Sequence, residues 1–147
     1  MSHKNGRRTI LLVDDDDEVR SALRRGLETA GFRVVAAFDE RDGAERAAHD
    51  PPDLILVELG RVPPVVALAA GRRIRVGAGL REEVPVMAYA NNEGEVAREG
   101  EAVEVRPGEY VVLPEDSDQL ADWLRRLAVA LLPAALALIP FLSDQGC

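Results

Sequence analysis

The stretch Thr9-Ile10-Leu11-Leu12-Val13-Asp14-Asp15-Asp16-Asp17-Glu18 decides how this chain is read. Thr9 to Val13 is short, β-branched or Leu throughout, and ends abruptly in acids. A run of that kind is a strand buried on both faces, the form parallel-sheet strands take in sequence. From Val19 the period changes: Val19, Ala22, Leu23, Leu27 and Ala30 recur at helical spacing, and Gly31 follows as a stop. The acids between strand and helix suit the positive end of the helix dipole.

The alternation continues outward. Phe32 to Phe38 is predicted as the second strand, Glu40 to His49 as a short Ala-rich helix before Pro51-Pro52, Asp53 to Glu58 as the third strand and Val84 to Tyr89 as the fourth. Strands alternating with helices predict an α/β domain with a parallel sheet covered on both faces. After Gly60 the pattern loosens. Pro63-Pro64 suits the start of a helix over Val65 to Arg73, and Gly71, Gly77 and Gly79 argue against a long continuation to Arg81. Between Asn91 and Glu109 no amphipathic helix stands out. Ala102 to Val105 and Glu109 to Leu113 flank Arg106-Pro107-Gly108, which reads equally as a hairpin around a Pro-Gly turn or as a helix followed by a strand. Asp116 or Ser117 can cap a last helix through Leu132, with Leu120, Trp123, Leu124, Leu127 and Leu131 on one face.

The 147 residues, 47% apolar and 30% charged, fit one globular domain. We divide them into a basic head (1–7), a domain (8–132) and an apolar tail (133–147). A net charge of -8 argues against nucleic acid as a direct partner, since phosphate backbones repel such a surface. The single cysteine, Cys147, excludes an internal disulfide framework, and Ile10 to Val13 is too short for a signal peptide, so a cytoplasmic protein is expected. About fifteen residues beyond Leu132 leave no room for a DNA-binding helix-turn-helix.

Over Arg8 to Leu132 the chain resembles the receiver domain of two-component response regulators. The resemblance is carried by Ile10-Leu11-Leu12-Val13-Asp14-Asp15, by Asp53-Leu54-Ile55-Leu56-Val57-Glu58 and by Tyr110-Val111-Val112-Leu113-Pro114, in family order and near family spacing. It implies a flavodoxin-like, doubly wound fold: a five-stranded parallel sheet in the order 2-1-3-4-5, with the pocket at the carboxyl ends of the strands. A working receiver holds Mg2+ on two acids, accepts a phosphoryl group on an Asp, and binds the phosphoryl oxygens with a Ser or Thr hydroxyl and a Lys ammonium.

Transferred residue by residue, the resemblance places the metal-binding acids at Asp14 and Asp15, the phospho-acceptor at Glu58, the hydroxyl position at Ala90, the Lys position at Leu113 and the aromatic switch at Tyr110. Glu58 is one methylene longer than Asp, and a misplacement near 1 Å can lower a rate by about a hundredfold. No Ser or Thr occurs between Thr29 and Ser117, and the only Lys is Lys4, so no small shift of register restores either group. The chain therefore resembles a pseudo-receiver: a phosphorylation-independent signalling module, not an enzyme, that binds a protein partner and at most weakly holds Mg2+ on Asp14, Asp15 and Glu58.

Plainer alternatives accompany each feature. Glu58 either imitates a phosphorylated Asp or is an inert acid, Tyr110 is either a switch or a packing residue, and the acidic run is either a remnant metal pocket or a solvated turn. His3 and His49 lack metal-ligand spacing, and Gly77-Ala78-Gly79 fails the dinucleotide fingerprint. Asp14-x-Asp16 also looks like the nucleophile and acid of haloacid dehalogenase-type phosphatases, without that family's later Ser/Thr and Lys motifs. A third alternative is an atypical receiver still phosphorylated on Glu58 or a neighbouring Asp. Two further expectations concern shape. The region of the family's fourth helix, Asn91 to Gly100 and onward, is expected to be remodelled. The uncharged run Leu127 to Leu142 spans about 24 Å as helix, short of a roughly 30 Å bilayer core and interrupted by Pro133 and Pro140, which favours a homodimer contact over a membrane span.

Overall fold

Thr9 to Val13 forms a strand that continues into the first acid, β1 (Thr9–Asp14), every residue of it buried. The computed structural model describes residues 6–60, 62–90 and 96–130. The Asp16 carboxylate accepts from the backbone N–H groups of Glu18 and Val19, and so starts α1 (Asp17–Thr29) ahead of its first apolar position. Gly31, at φ 105°, turns the chain into β2 (Arg33–Ala37). Asp39 caps α2 (Glu40–His49), and β3 (Leu54–Glu58) ends on its acid.

The next helix, α3, runs Pro64–Gly77 and is longer than the predicted Val65 to Arg73. Gly71 does not break it, because a Cβ there would lie 2.3 Å from Val86 Cγ1. The glycine lets the helix close onto the sheet and has a packing role. Strands β4 (Val86–Tyr89), β5 (Glu101–Arg106) and β6 (Glu109–Leu113) follow, and then α4 (Ser117–Ala130).

Among the described residues the sheet has six strands in the order β2-β1-β3-β4-β6-β5. β2, β1, β3, β4 and β6 are parallel and reproduce the predicted 2-1-3-4-5 winding, with β6 as the fifth strand of that scheme. The flavodoxin-like class holds, but the count of five needs correction. β5 adds an antiparallel edge, pairing Glu101 with Leu113 and Val103 with Val111. Of the two readings left open around Pro107-Gly108, the hairpin is the one formed. Gly108, at φ 77°, supplies the left-handed residue of its tight turn, and Ala102 buries against the core. Strand geometry thus occupies Glu101 to Arg106, where a long fourth helix would have run. Residues 91–95 lie outside the described part, as do the basic head through residue 5 and the chain from Leu131 on, with the expectations placed on them.

Each face of the sheet has its own core. On one face Ile10, Leu12, Leu54, Leu56 and Met87 meet Leu27 of α1 and Leu120, Trp123, Leu124 and Leu127 of α4. On the other, Leu11, Val13, Ile55, Val57 and Val86 meet Ala47 of α2 and Ala67, Leu68 and Ile74 of α3. Two-sided burial explains why β1 and β3 read as unbroken apolar runs. It also leaves the strand ends as the only places on the central strands where an acid sits.

Candidate functional site

The parallel register aligns the strand ends. Asp14 pairs with Glu58 across β1 and β3, and Val57 with Ala88 across β3 and β4, so the next residue of β4, Tyr89, stands beside Glu58. Adjacent strands lie about 4.8 Å apart, which places Asp14, Glu58 and Tyr89 in one row. Asp15 and Asp16 follow on the loop into α1 and are exposed.

Asp14 is completely buried. Its Oδ1 accepts the backbone N–H of Asp16 at 2.9 Å, while its buried Oδ2 has no hydrogen-bond partner. Among the described residues Arg20 is the guanidinium near the acids; it donates to the Asp14 backbone carbonyl at 2.8 Å and to the Asp17 carboxylate at 2.6 Å, and so offsets the acids without reaching Oδ2.

Electrostatics follow from this crowding. Burial is the largest influence on Asp14 and raises its pKa to about 6; the Asp16 N–H and Arg20 oppose the rise, and the charges of Asp15 and Asp16 add to it. Glu58 is pushed to about 7, first by burial and then by repulsion from Asp14, Asp15 and Asp16. The repulsion falls on whichever acid ionises second, and that is Glu58. Burial and then the charges of Glu58 and Asp14 drive the Tyr89 phenol upward, so it keeps its proton and can donate.

The remaining predicted positions take up apolar or structural roles. Ala90 follows β4, 7% exposed, and its N–H donates to the Val112 carbonyl at 2.8 Å. Leu113, half-buried, packs against the second-face core to which Ala90 belongs. Neither supplies a hydroxyl or an ammonium. Tyr110 is buried within the first-face core, and its hydroxyl donates to Glu104 Oε2 of β5 at 3.2 Å. The Asp14-x-Asp16 pair of the phosphatase alternative is divided in use, because Asp16 Oδ1 caps α1 at 2.9 Å to both Glu18 and Val19.

The acids fit Mg2+ in kind, as hard oxygen donors with one unsatisfied buried oxygen, and Mg2+ takes one or two carboxylates. Among the described residues no three His, Cys, Asp or Glu side chains are gathered to share one ion. Sequence reasoning missed Tyr89 and Arg20. The signal for Tyr89 was its place as the last residue of β4, level with the last residue of β3. For Arg20 the signal was its position one turn into the helix that the acids begin.

A family model described as "Response regulator receiver domain" matches residues 10–125. Curated relatives include the response regulator MprA of Mycobacterium tuberculosis strain H37Rv, 27% identical over 118 residues, covering 80% of this chain and 49% of the relative. The regulatory protein AtoC of Escherichia coli K12 is 31% identical over 111 residues, covering 76% of this chain and 23% of the relative. The chain thus spans about half the length of MprA and less of AtoC. Among solved structures, the receiver domain of the hybrid histidine kinase CckA is similar at a TM-score of 0.56 and 24% identity, covering 82% of this chain and 98% of that one. A CheY-like receiver domain from Methylobacillus flagellatus is similar at 0.63 and 15% identity, with the same coverages. Likenesses at these identities concern the fold alone.

Proposed function

The chain belongs to the response regulator receiver domain family, and from that premise we propose that it is a pseudo-receiver: a two-component-type module that signals by binding a protein partner and does not depend on phosphorylation. The observation that carries this reading is the state of the strand ends. Glu58 stands at the acceptor position, and Ala90 and Leu113 leave the pocket without the hydroxyl and ammonium that would bind a phosphoryl group. A phosphoryl group arriving there would meet Asp14, Asp15 and Asp16 with Arg20 alone among the described residues to offset them, so its charge would be repelled where a working site attracts it.

In this reading the chain is not an enzyme, its partner is a protein and not nucleic acid, and it works in the cytoplasm. Asp14, Asp15 and Glu58 bind Mg2+ weakly. A titration with Mg2+ or Mn2+ to millimolar concentration reads that last point through melting temperature.

Incubation with acetyl phosphate and Mg2+, followed by intact-mass measurement, tests the main proposal. The unmodified mass is expected. A near-stoichiometric gain of one phosphoryl group, localised to Glu58, overturns it. The triple variant Glu58→Asp, Ala90→Thr, Leu113→Lys restores the three missing groups together and is expected to gain the phosphoryl group under the same conditions.

A further inference from the structure

Helix α3 carries an apolar stripe on the side turned away from the sheet. Val65, Ala69, Arg72 and Val76 recur at i, i+4, i+7 and i+11, which stacks them along one face of the helix, while Ala67, Leu68, Ala70, Gly71 and Ile74 are buried on the opposite face. Val65 is 60% exposed and Val76 79%, the highest value for a large apolar side chain among the described residues. Two guanidinium arms that could have covered the stripe are drawn off it to opposite sides. Arg72 pairs with the buried Glu109 of β6, and Arg73 donates twice to Glu40 of α2, at 2.8 Å each. Between them lies an open cleft of about 480 Å3, walled by Ala69, Arg72, Arg73, Val76 and Gly77. A Cβ at Gly77 would meet nothing within 4 Å. The cleft suits an uncharged occupant, because both of its cations are already paired and an acidic one would have to displace Glu40 or Glu109.

We infer that this cleft is the seat of the apolar tail, residues 134–142, of a second copy of the chain. The sequence supplies the match. No residue from Leu127 to Leu142 is charged, and beyond Pro133 the segment carries Leu136, Leu138, Ile139, Phe141 and Leu142, an apolar surface that needs cover as the stripe does. Reach assigns the seat to a second copy. Helix α4, ending at Ala130, lies on the first face of the sheet and α3 closes the second, so two packed layers of roughly 10 Å each separate them, and the stripe faces outward beyond that. Fully extended, the chain covers at most about 14 Å from Ala130 to Ala134 and about 28 Å to Leu138. A tail folding onto its own α3 would spend Ala134 to Leu138 as linker and leave Leu136 uncovered. The α3 of a second chain can meet the tail from its first residue. Exchanged reciprocally, two tails and two clefts close a dimer with neither left over.

The test uses the full chain with a nitroxide spin label on Cys147, its only cysteine. Spin-labelled chain is mixed with isotope-labelled chain that carries no nitroxide, so amide broadening reports contact between copies alone. Broadening is expected along Val65 to Gly77 and is expected to be lost when the isotope-labelled chain carries Val65→Ser with Val76→Ser. Both positions are exposed and Ser matches Val in helix propensity, so the variant keeps its fold, which its melting temperature checks. Phe38→Ser, at an exposed apolar residue off α3, is expected to keep the broadening. Light scattering should show the dimer of the double variant weakened at least about tenfold, the effect of removing apolar side chains from the contact. Broadening confined to the β5 edge or to another helix, or seen only where nitroxide and isotope share one chain, overturns the inference; the last result assigns the tail to its own chain. A full chain that stays monomeric overturns it too. A dimer lost on truncation after Leu132 but unaffected by the double variant overturns the α3 seat and leaves self-association through the tail in place. None of these outcomes depends on the acetyl phosphate measurement.

Discussion

Glu58 and Asp14 are held in the fold against their preference for charge. Their pKa values, about 7 and about 6, lie above the ordinary 4.5 and 3.8, so the folded chain binds protons more tightly than the unfolded one. Stability therefore falls as pH rises. The contribution is fully present below about pH 4, is lost progressively toward pH 7, and is absent above that. Glu40 has the opposite sign: its bidentate pairing with Arg73 holds its pKa below the usual value, so what it contributes is lost only on acidification below the carboxylate range. The window from pH 5 to 7.5 thus isolates the pocket. Melting temperature is expected to decline across it, and Glu58→Gln is expected to flatten the decline. The same variant should stabilise the protein at pH 7.5 by about 1 to 2 kcal/mol, after discounting a shift of this size for the solvent that reaches Glu58. A variant that melts no higher than its parent at pH 7.5 would show that Glu58 is not strained.

At the scale of elements, the β5–β6 hairpin is the main departure from the family plan, and one carboxylate joins its parts. Glu104 Oε2 accepts from the Gly108 backbone at 3.1 Å, closing the turn, and from the Tyr110 hydroxyl at 3.2 Å, holding the ring within the core. Glu104→Ala removes both bonds and should destabilise by about 1 to 2 kcal/mol in urea unfolding, whereas Tyr110→Phe removes one and should lose about 1 kcal/mol. Because the two share a bond, the double variant should be less destabilised than the sum, by about 1 kcal/mol. Strict additivity would break the link between hairpin and switch position. The hairpin was only half legible in the sequence. Alternation around Pro107-Gly108 pointed to it, but a helix followed by a strand fitted the same residues, and pairing with β6 decides between them. β1 and β3 were legible at once, because two-sided burial leaves an unbroken apolar run. The glycines of α3 were legible in part: they argued against a continuation to Arg81, and the helix stops at Gly77, but the packing role of Gly71 depends on its approach to Val86, on a strand that comes later in the chain. The positions of Asp14 and Glu58 at the ends of their strands were legible in the sequence, but Tyr89 beside Glu58 is a product of sheet register, which single-strand patterning does not contain.

At the scale of the whole molecule, the two sheet faces are closed by different helix pairs, and the last of these helices, α4, precedes the apolar tail in sequence. Leu127 is buried with Trp123 and Leu124 against α1 and the sheet, and it begins the uncharged run that continues in sequence to Leu142. Beyond Pro133 that run holds Leu136, Leu138, Ile139, Phe141 and Leu142. Burying five such side chains in each of two chains, at about 2 kcal/mol apiece, is worth about 20 kcal/mol. Association of two chains opposes this with about 4 to 15 kcal/mol of lost freedom, and ordering two tails opposes it further, so the surplus available to a dimer is a fraction of the gross gain. We propose that the tail covers its apolar surface in a homodimer, one that dissociates on dilution. Light scattering over a concentration series is expected to show a mass rising from monomer toward dimer for the full chain, and a monomer at every concentration after truncation following Leu132. The truncation spares Leu120, Trp123, Leu124 and Leu127, so the α4 side of the core is kept and loss of dimer is not loss of fold. A dimer that survives truncation, or a full chain that stays monomeric throughout, removes the tail from any role in self-association.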